Sequence, residues 1–289
     1  MTTKRRWKRQ NRACVLAFAS VGLAAMSGVS AGAEGIHAPW VEGYQNKARV
    51  LAGRIDPTPD GKIYLGVEIQ MPPGWKTYWR MPGDAGGVPP EFDWSQSDNL
   101  KSANVLYPAP RRLTDKSGSV IGYQDGVVFP IELIAKDATK PVHVKLTATY
   151  GVCKELCIPA EAALQVIVPL NVKKSPTLAD AVTKVPSQQP DANKDPILKA
   201  WRIENEGALS YLHFDVSDPG SSVEAGDAFV EAPEGAYLPL PKPTSSANGV
   251  TSYKLDLADA GGIAALKGKA LTLTLVGAKG QSETTIQLK

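Results

Sequence analysis

Cysteine and histidine are scarce in this sequence, with three of each in 289 residues. That scarcity bears on metal chemistry. Only Cys153 and Cys157 stand close together, whereas a tetrahedral zinc site needs four ligands. His37, His143 and His213 are far apart along the chain. No nucleophile–base set of the hydrolytic kind is visible, nor a phosphate-cradling glycine loop, nor a dinucleotide fingerprint. No metal site and no cofactor are therefore expected. Long apolar runs are missing too: nothing after the N-terminal segment approaches the ~20 residues of a membrane-spanning helix. Convincing helical periodicity is absent from the first half of the chain.

A strong excess of one charge is also lacking. The formal net charge is +3, from 32 basic and 29 acidic residues. Six of the basic residues (Lys4, Arg5, Arg6, Lys8, Arg9 and Arg12) open the chain, followed by an apolar run over 13–26 and the small-residue site Ala31-Gly32-Ala33. These are the three parts of a cleavable secretory signal peptide, expected to span residues 1–33. Cleavage would take Cys14 with it and leave 26 basic against 29 acidic residues, a net of −3. The basic balance belongs to the export signal, so no nucleic-acid partner is expected. Export to the periplasm, with no stable membrane insertion, is the expected location. Two cysteines in an oxidising compartment can pair and leave no odd thiol.

What is present is alternation. Val142, Val144, Leu146, Ala148 and Tyr150 alternate with His143, Lys145, Thr147 and Thr149; Ala162, Leu164, Val166 and Val168 alternate with Glu161, Ala163, Gln165 and Ile167. Period-2 patterning predicts two half-buried strands. Folded as a hairpin with Cys153 opposite Cys157, they pair Val142 with Val168, Val144 with Val166, Leu146 with Leu164 and Ala148 with Ala162. Every inner pair is apolar, and a one-residue slip would turn them all to water. Sulfurs at i and i+4 on one extended strand would lie roughly 13 Å apart. Across a hairpin mouth their Cα atoms approach to about 4.5–5.5 Å, which permits a disulfide. Both cysteines share the parity of the polar face, which predicts that they point away from the core. Pro159 cannot donate to the ladder and needs an edge or bulge. A helical turn with the cysteines at i and i+4 is the competing geometry.

Other strands are expected over 48–52, 62–70 and 127–134, the last with Pro130 suggesting an edge or bulge. The fold class expected is all-β: two immunoglobulin-like antiparallel sandwiches, over 34–172 and 198–289, joined by a proline-rich linker over 173–197. Within that linker, residues 178–185 could form one or two helical turns. Between the early strands, 71–110 is rich in Gly, Pro and rings. Those rings either fill the ends of the sandwich or wall the sulfur pair; Trp75, Tyr78 and Trp79, with Tyr150, are the candidates for a wall. Residues 111–124 read as a mobile loop or a surface hairpin.

For Cys153 and Cys157 three chemistries stay open. The pair serves as a redox couple for thiol–disulfide exchange, as a structural staple in a binding or assembly module, or as a two-thiolate Cu(I) ligand set. A disulfide over so short a loop removes little loop-closure entropy, which shifts weight from staple to redox couple.

The run Tyr150-Gly151-Val152-Cys153-Lys154-Glu155-Leu156-Cys157-Ile158-Pro159-Ala160-Glu161 resembles the active-site hairpin of the N-terminal periplasmic domain of the thiol:disulfide interchange protein DsbD and its relative ScsB. Pro73-Gly74-Trp75-Lys76-Thr77-Tyr78-Trp79-Arg80, Pro82-Gly83-Asp84-Ala85-Gly86 and Phe92-Asp93-Trp94 resemble that family in the same order. The likeness covers roughly 40–170. It implies an immunoglobulin-like sandwich whose catalytic pair, Cys153 and Cys157, cycles as a disulfide. It also implies a cap loop over 113–123, with Leu113, Thr114, Asp115, Lys116, Ser117, Gly118, Ile121 and Tyr123 as its members. The implied partners are a membrane-embedded thiol reductase (DsbD- or CcdA-like) and periplasmic thioredoxin-like or client proteins, in copper tolerance or cytochrome c maturation. Only Lys154-Glu155-Leu156 separates the cysteines, fewer residues than in the better-known DsbD members. No transmembrane or thioredoxin-like domain is recognisable, so either separate proteins supply those parts or this is a stand-alone relative with another role.

Overall fold

The computed structural model describes residues 35–55, 62–115, 118–207, 209–219, 226–233 and 236–289; the expected signal peptide lies outside them. Every ladder joining two named strands is antiparallel. One sheet runs β1 (Ile36–His37), β3 (Asn46–Arg54), β4 (Ile63–Gln70), β10 (Gly126–Ala135) and β7 (Leu100–Val105), with β2 (Val41–Gly43) also on β3. A second runs β12 (Cys157–Val168), β11 (Val142–Cys153), β5 (Lys76–Tyr78), β9 (Gly118–Gln124) and β8 (Arg111–Asp115), with β6 (Glu91–Asp93) also on β11. Two more sheets follow. One is β13 (Ile197–Glu206), β14 (Leu209–Ser217), β17 (Val250–Asp256) and β16 (Lys242–Ala247); the other is β15 (Asp227–Glu231), β18 (Ala270–Val276) and β19 (Gln281–Gln287). Helices are short: α1 (Pro176–Thr183) and α2 (Gly262–Leu266). The class is the expected one, all-β with immunoglobulin-like antiparallel sheets.

Alternation puts one face of each strand inward. Leu65, Val67, Ile69 and Phe129 from the first sheet meet Ile121, Val144, Leu146 and Tyr150 from the second in one core. Phe129 is its hub, with ring centroids of Tyr123, Tyr107 and Phe92 at 5.4, 5.6 and 5.7 Å, all edge-on. Such pairs add about 0.5–1.5 kcal/mol each beyond the area they bury. Much of the aromatic 71–110 segment thus packs the sandwich. A second core joins Leu212, Phe214, Tyr253, Leu255 and Leu273. Phe229, from β15, and Leu240, from the segment between β15 and β16, pack into the first core, where Phe229 lies 5.7 Å from Trp79.

Three sequence readings need refinement. The 62–70 alternation suggests one wet face, yet β4 is buried on both from Tyr64 to Ile69. The reason is α1, which lies in the proline-rich segment and covers the outer face. Ser175 caps it, its side chain accepting from Leu178 N at 3.3 Å, with Pro176 at the first position. Fully buried Leu178 seats against Leu51 and Tyr64; a Cβ on Gly66 would come within 2.5 Å of its Cδ2. Pro130 lies between two neighbours in β10, not at a sheet edge. Its missing N–H falls on the β7 side, one residue past the last pair, Ile131 with Val105, where that ladder ends. Residues 111–115 and 118–124 pair as the β8–β9 hairpin.

Tyr150 illustrates the cost of ionising inside such a core. Its hydroxyl donates to Asn46 Oδ1 at 2.7 Å, and burial pushes its pKa up from 10.0 to about 12. The fold holds the neutral phenol. Its contribution to stability is therefore full below pH 10 and is lost as pH rises through about 12. Alkaline difference spectroscopy is expected to lose one phenolate step near pH 12 in Tyr150→Phe.

Candidate functional site

β11 and β12 adopt the register read from their apolar faces. Val142 pairs with Val168, Leu146 with Leu164 and Ala148 with Ala162, and the ladder ends on Cys153 with Cys157. The hairpin excludes the helical turn. The two Cα atoms lie 4.2 Å apart and the sulfurs are bonded. Gly151 donates its N–H to Val88 O at 3.0 Å, away from β12. Its partner Pro159 therefore turns its nitrogen outward, on the edge strand of the sheet, and no ladder bond is lost.

The two sulfurs are not equally open, which corrects the expectation that both point to solvent. Cys157 is exposed, but Cys153 is only 4% exposed. Alternating burial in β11 stops at Tyr150, and the next three residues are buried on either face. Parity places Cys153 on the polar face, but that face is covered here. β5 pairs along β11, setting Thr77 opposite Val152 and Lys76 opposite Cys153. Tyr78, next along β5, lies over Gly151, and its hydroxyl reaches Cys153 Sγ at 2.8 Å and Cys157 Sγ at 2.9 Å.

Two glycines make room for that ring. A Cβ on Gly151 would stand 2.8 Å from Tyr78 Cε2, and one on Gly87 would stand 2.1 Å from Cε1. Neither gap admits a side chain. Gly87 belongs to a strap, residues 82–88, that crosses the site. Ile121 N donates to Pro82 O at 2.8 Å, Gly86 N to Gly83 O at 3.0 Å and Ala85 N to Ser119 O at 3.3 Å; Val88 O closes the strap onto Gly151. The sequence marks this strap by Gly83, Gly86 and Gly87, a signal that sequence reading left without a role.

The other candidate residues distribute as follows. Trp75 meets Tyr44 edge-on at 6.4 Å. Trp79, on the opposite face of its segment from Tyr78, is fully buried against Phe229 and the Arg80 guanidinium. Tyr150 faces the core, one residue out of phase with Cys153. Of the four proposed wall residues, Tyr78 is the one hydrogen-bonded to the sulfurs. In the expected cap, Ile121 and Tyr123 are core residues of β9, and Tyr123 donates to Pro108 O at 2.8 Å. Leu113 is buried on β8, and Thr114 pairs with Ser119 across the hairpin at 2.8 Å. Asp115 and Gly118 are the strand ends facing the turn, and Gly118 approaches Ala85 of the strap. Lys116 and Ser117 lie outside the described residues. Charge near the pair comes from Lys76, opposite Cys153, and from Lys154 and Glu155 in the exposed turn. Among the described residues no three His, Cys, Asp or Glu side chains converge as a metal site.

This geometry can do one kind of chemistry directly: a disulfide with one exposed and one shielded sulfur can be opened by a thiolate and closed again. Comparison with known proteins agrees. Residues 47–169 match the family model described as thiol:disulfide interchange protein DsbD, N-terminal. The chain shares its fold with the crystal structure of the N-terminal periplasmic domain of ScsB from Proteus mirabilis, with a TM-score of 0.64 and 23% identity over 88% of this chain and 99% of that one. No curated protein matches the chain. The stretch that matches the DsbD N-terminal family model, from β3 to the end of β12, is the part that carries the sulfur pair and its cover.

Proposed function

We propose that this protein relays reducing equivalents in the periplasm, from a membrane-embedded thiol reductase to thioredoxin-like or client proteins, through Cys153 and Cys157. The supporting observation is the asymmetric disulfide at the hairpin end, exposed at Cys157 and shielded at Cys153. A donor thiolate attacks Cys157 Sγ. A mixed disulfide forms, the Cys153–Cys157 bond breaks, and Cys153 leaves as the thiolate. Tyr78 Oη, already 2.8 Å from that sulfur, donates its hydrogen bond to the new charge, and Lys76 and Lys154 add positive potential. The donor's second thiolate then attacks the donor sulfur of the mixed disulfide and releases Cys157. The donor leaves oxidised and the pair reduced, two electrons having moved. The reverse sequence reduces an acceptor disulfide. In this reading 34–172 is the redox module, 173–197 the connector and 198–289 a second sandwich.

The test is the reduction potential of the pair and its rate of reduction by a thioredoxin-like donor. Expected is a potential above about −300 mV with full reduction by the donor. A potential below that mark, together with resistance to the donor, would make the bond a staple and overturn the proposal.

A further inference from the structure

We infer that the C-terminal sheets set how readily a thiol reaches the Cys153–Cys157 pair, by pinning the 82–88 strap, with Asp84 and Tyr237 as positioning residues; this rests on the exchange reading above. The strap is the cover's weak member. It carries three glycines in seven residues and is held to the second sheet at its ends, by Pro82 O and Val88 O, with one long bond between, Ala85 N to Ser119 O at 3.3 Å. Such a segment opens locally unless something else holds it.

The remaining tie comes from the other end of the chain. Asp84 Oδ1 accepts from the Tyr237 hydroxyl at 2.9 Å and from Leu240 N at 3.2 Å. Beneath, a cavity of about 550 Å³ lined by Arg80, Met81, Asp84, Glu231 and Tyr237 separates the strap from β15. Few packing contacts can therefore replace these two hydrogen bonds. The same sheets hold the strap's flanks: Arg80 binds Glu231 and Glu283, and Arg112 of β8 binds Asp227 at 2.7 Å and Pro241 O at 3.2 Å. From Asp84 the path to the sulfurs is short. Gly87, three residues on, presses on the Tyr78 ring, and that ring's hydroxyl contacts both sulfurs. Releasing Asp84 lets the strap lift and the ring swing off both sulfurs, Cys157 included, so that an incoming thiolate meets less cover.

The experiment compares wild type, Asp84→Ala and Tyr237→Phe in the full chain, with Lys254→Ala as control. Lys254 pairs with Glu206 on the C-terminal sheets and makes neither of the two bonds to Asp84. Rate constants for reduction by dithiothreitol, and for reoxidation by oxidised dithiothreitol, are measured below the unfolding midpoint of every variant. Both are expected to rise about three- to ten-fold in Asp84→Ala, and less in Tyr237→Phe, as one or two ordinary hydrogen bonds are lost. Because forward and reverse rates rise together, the reduction potential stays where it was. Unchanged rates in Asp84→Ala, an equal rise in Lys254→Ala, or a rise in one direction alone would overturn the inference. Tyr237→Phe keeps the fold's shape, so it decides the matter should Asp84→Ala unfold. A wild-type pair that the thioredoxin-like donor leaves oxidised, while dithiothreitol rates still respond to Asp84→Ala, would sink the relay proposal and leave this inference standing.

Discussion

A Cys153→Ser variant, with Cys157 as its free thiol, is expected to form a mixed disulfide at least ten times faster than Cys157→Ser. A suitable partner is a thioredoxin-like protein whose single active-site cysteine is activated with thionitrobenzoate. The free thiolate attacks the partner sulfur, the mixed disulfide forms, and thionitrobenzoate leaves and is read by its absorbance. The asymmetry follows from burial. Cys157 lies exposed on the outer strand, while Cys153 is 4% exposed beneath the Tyr78 ring, which is itself confined between Gly87 and Gly151. A thiol left at Cys153 reacts only after that ring moves. With the cysteine at 153 removed, no sulfur beside Cys157 resolves the adduct among the described residues, so it accumulates. Faster trapping by Cys157→Ser would place the attack on the covered sulfur and contradict the order of steps given above.

Arg80→Ala is expected to lower unfolding stability by about 3 kcal/mol, the scale seen when one partner of a largely buried ion cluster is removed. Arg80 sends Nε to Glu231 Oε1 at 2.8 Å and Nη2 to Glu231 Oε2 at 2.6 Å and Glu283 Oε2 at 2.5 Å, while its guanidinium lies 4.5 Å above the Trp79 ring. All three side chains are less than a third exposed. Alanine strands two carboxylates side by side and strips one face of an indole. Urea titration measures the loss. Adding Glu231→Gln to the Arg80→Ala background is expected to recover part of it, because one stranded charge goes. A loss below about 1 kcal/mol would mean that water replaces the guanidinium at little cost.

How far the sequence reached can be judged from these same residues. The β11–β12 register was legible because it is local: two runs of alternating residues, a short turn, and one alignment that keeps every inner pair apolar. The position of the disulfide came with it. The unequal exposure of its sulfurs did not, because parity names a face and not what lies on it. The cover over Cys153 comes from Tyr78 and Gly87, more than sixty residues upstream. Asp84, in turn, is held by Tyr237, 153 residues downstream. Likewise Trp79 adjoins Tyr78 in the sequence, but neighbours on an extended segment face opposite ways, and Trp79 turns to Phe229. The outer face of β4 looked wet because its cover, α1, sits in a segment that reads as a linker.

The bond between Cys153 and Cys157 closes a ring over only three intervening residues, at the end of strands already laddered along their whole length. Cutting it releases almost no slack. The oxidised and reduced molecules consequently present nearly the same outline, and neither form must refold between one electron transfer and the next. In the proposed relay, a donor and an acceptor visiting in turn would meet the same contours, and departure after reaction would be governed at the tip itself, by the severed covalent link and the fresh negative charge beside Lys76 and Lys154.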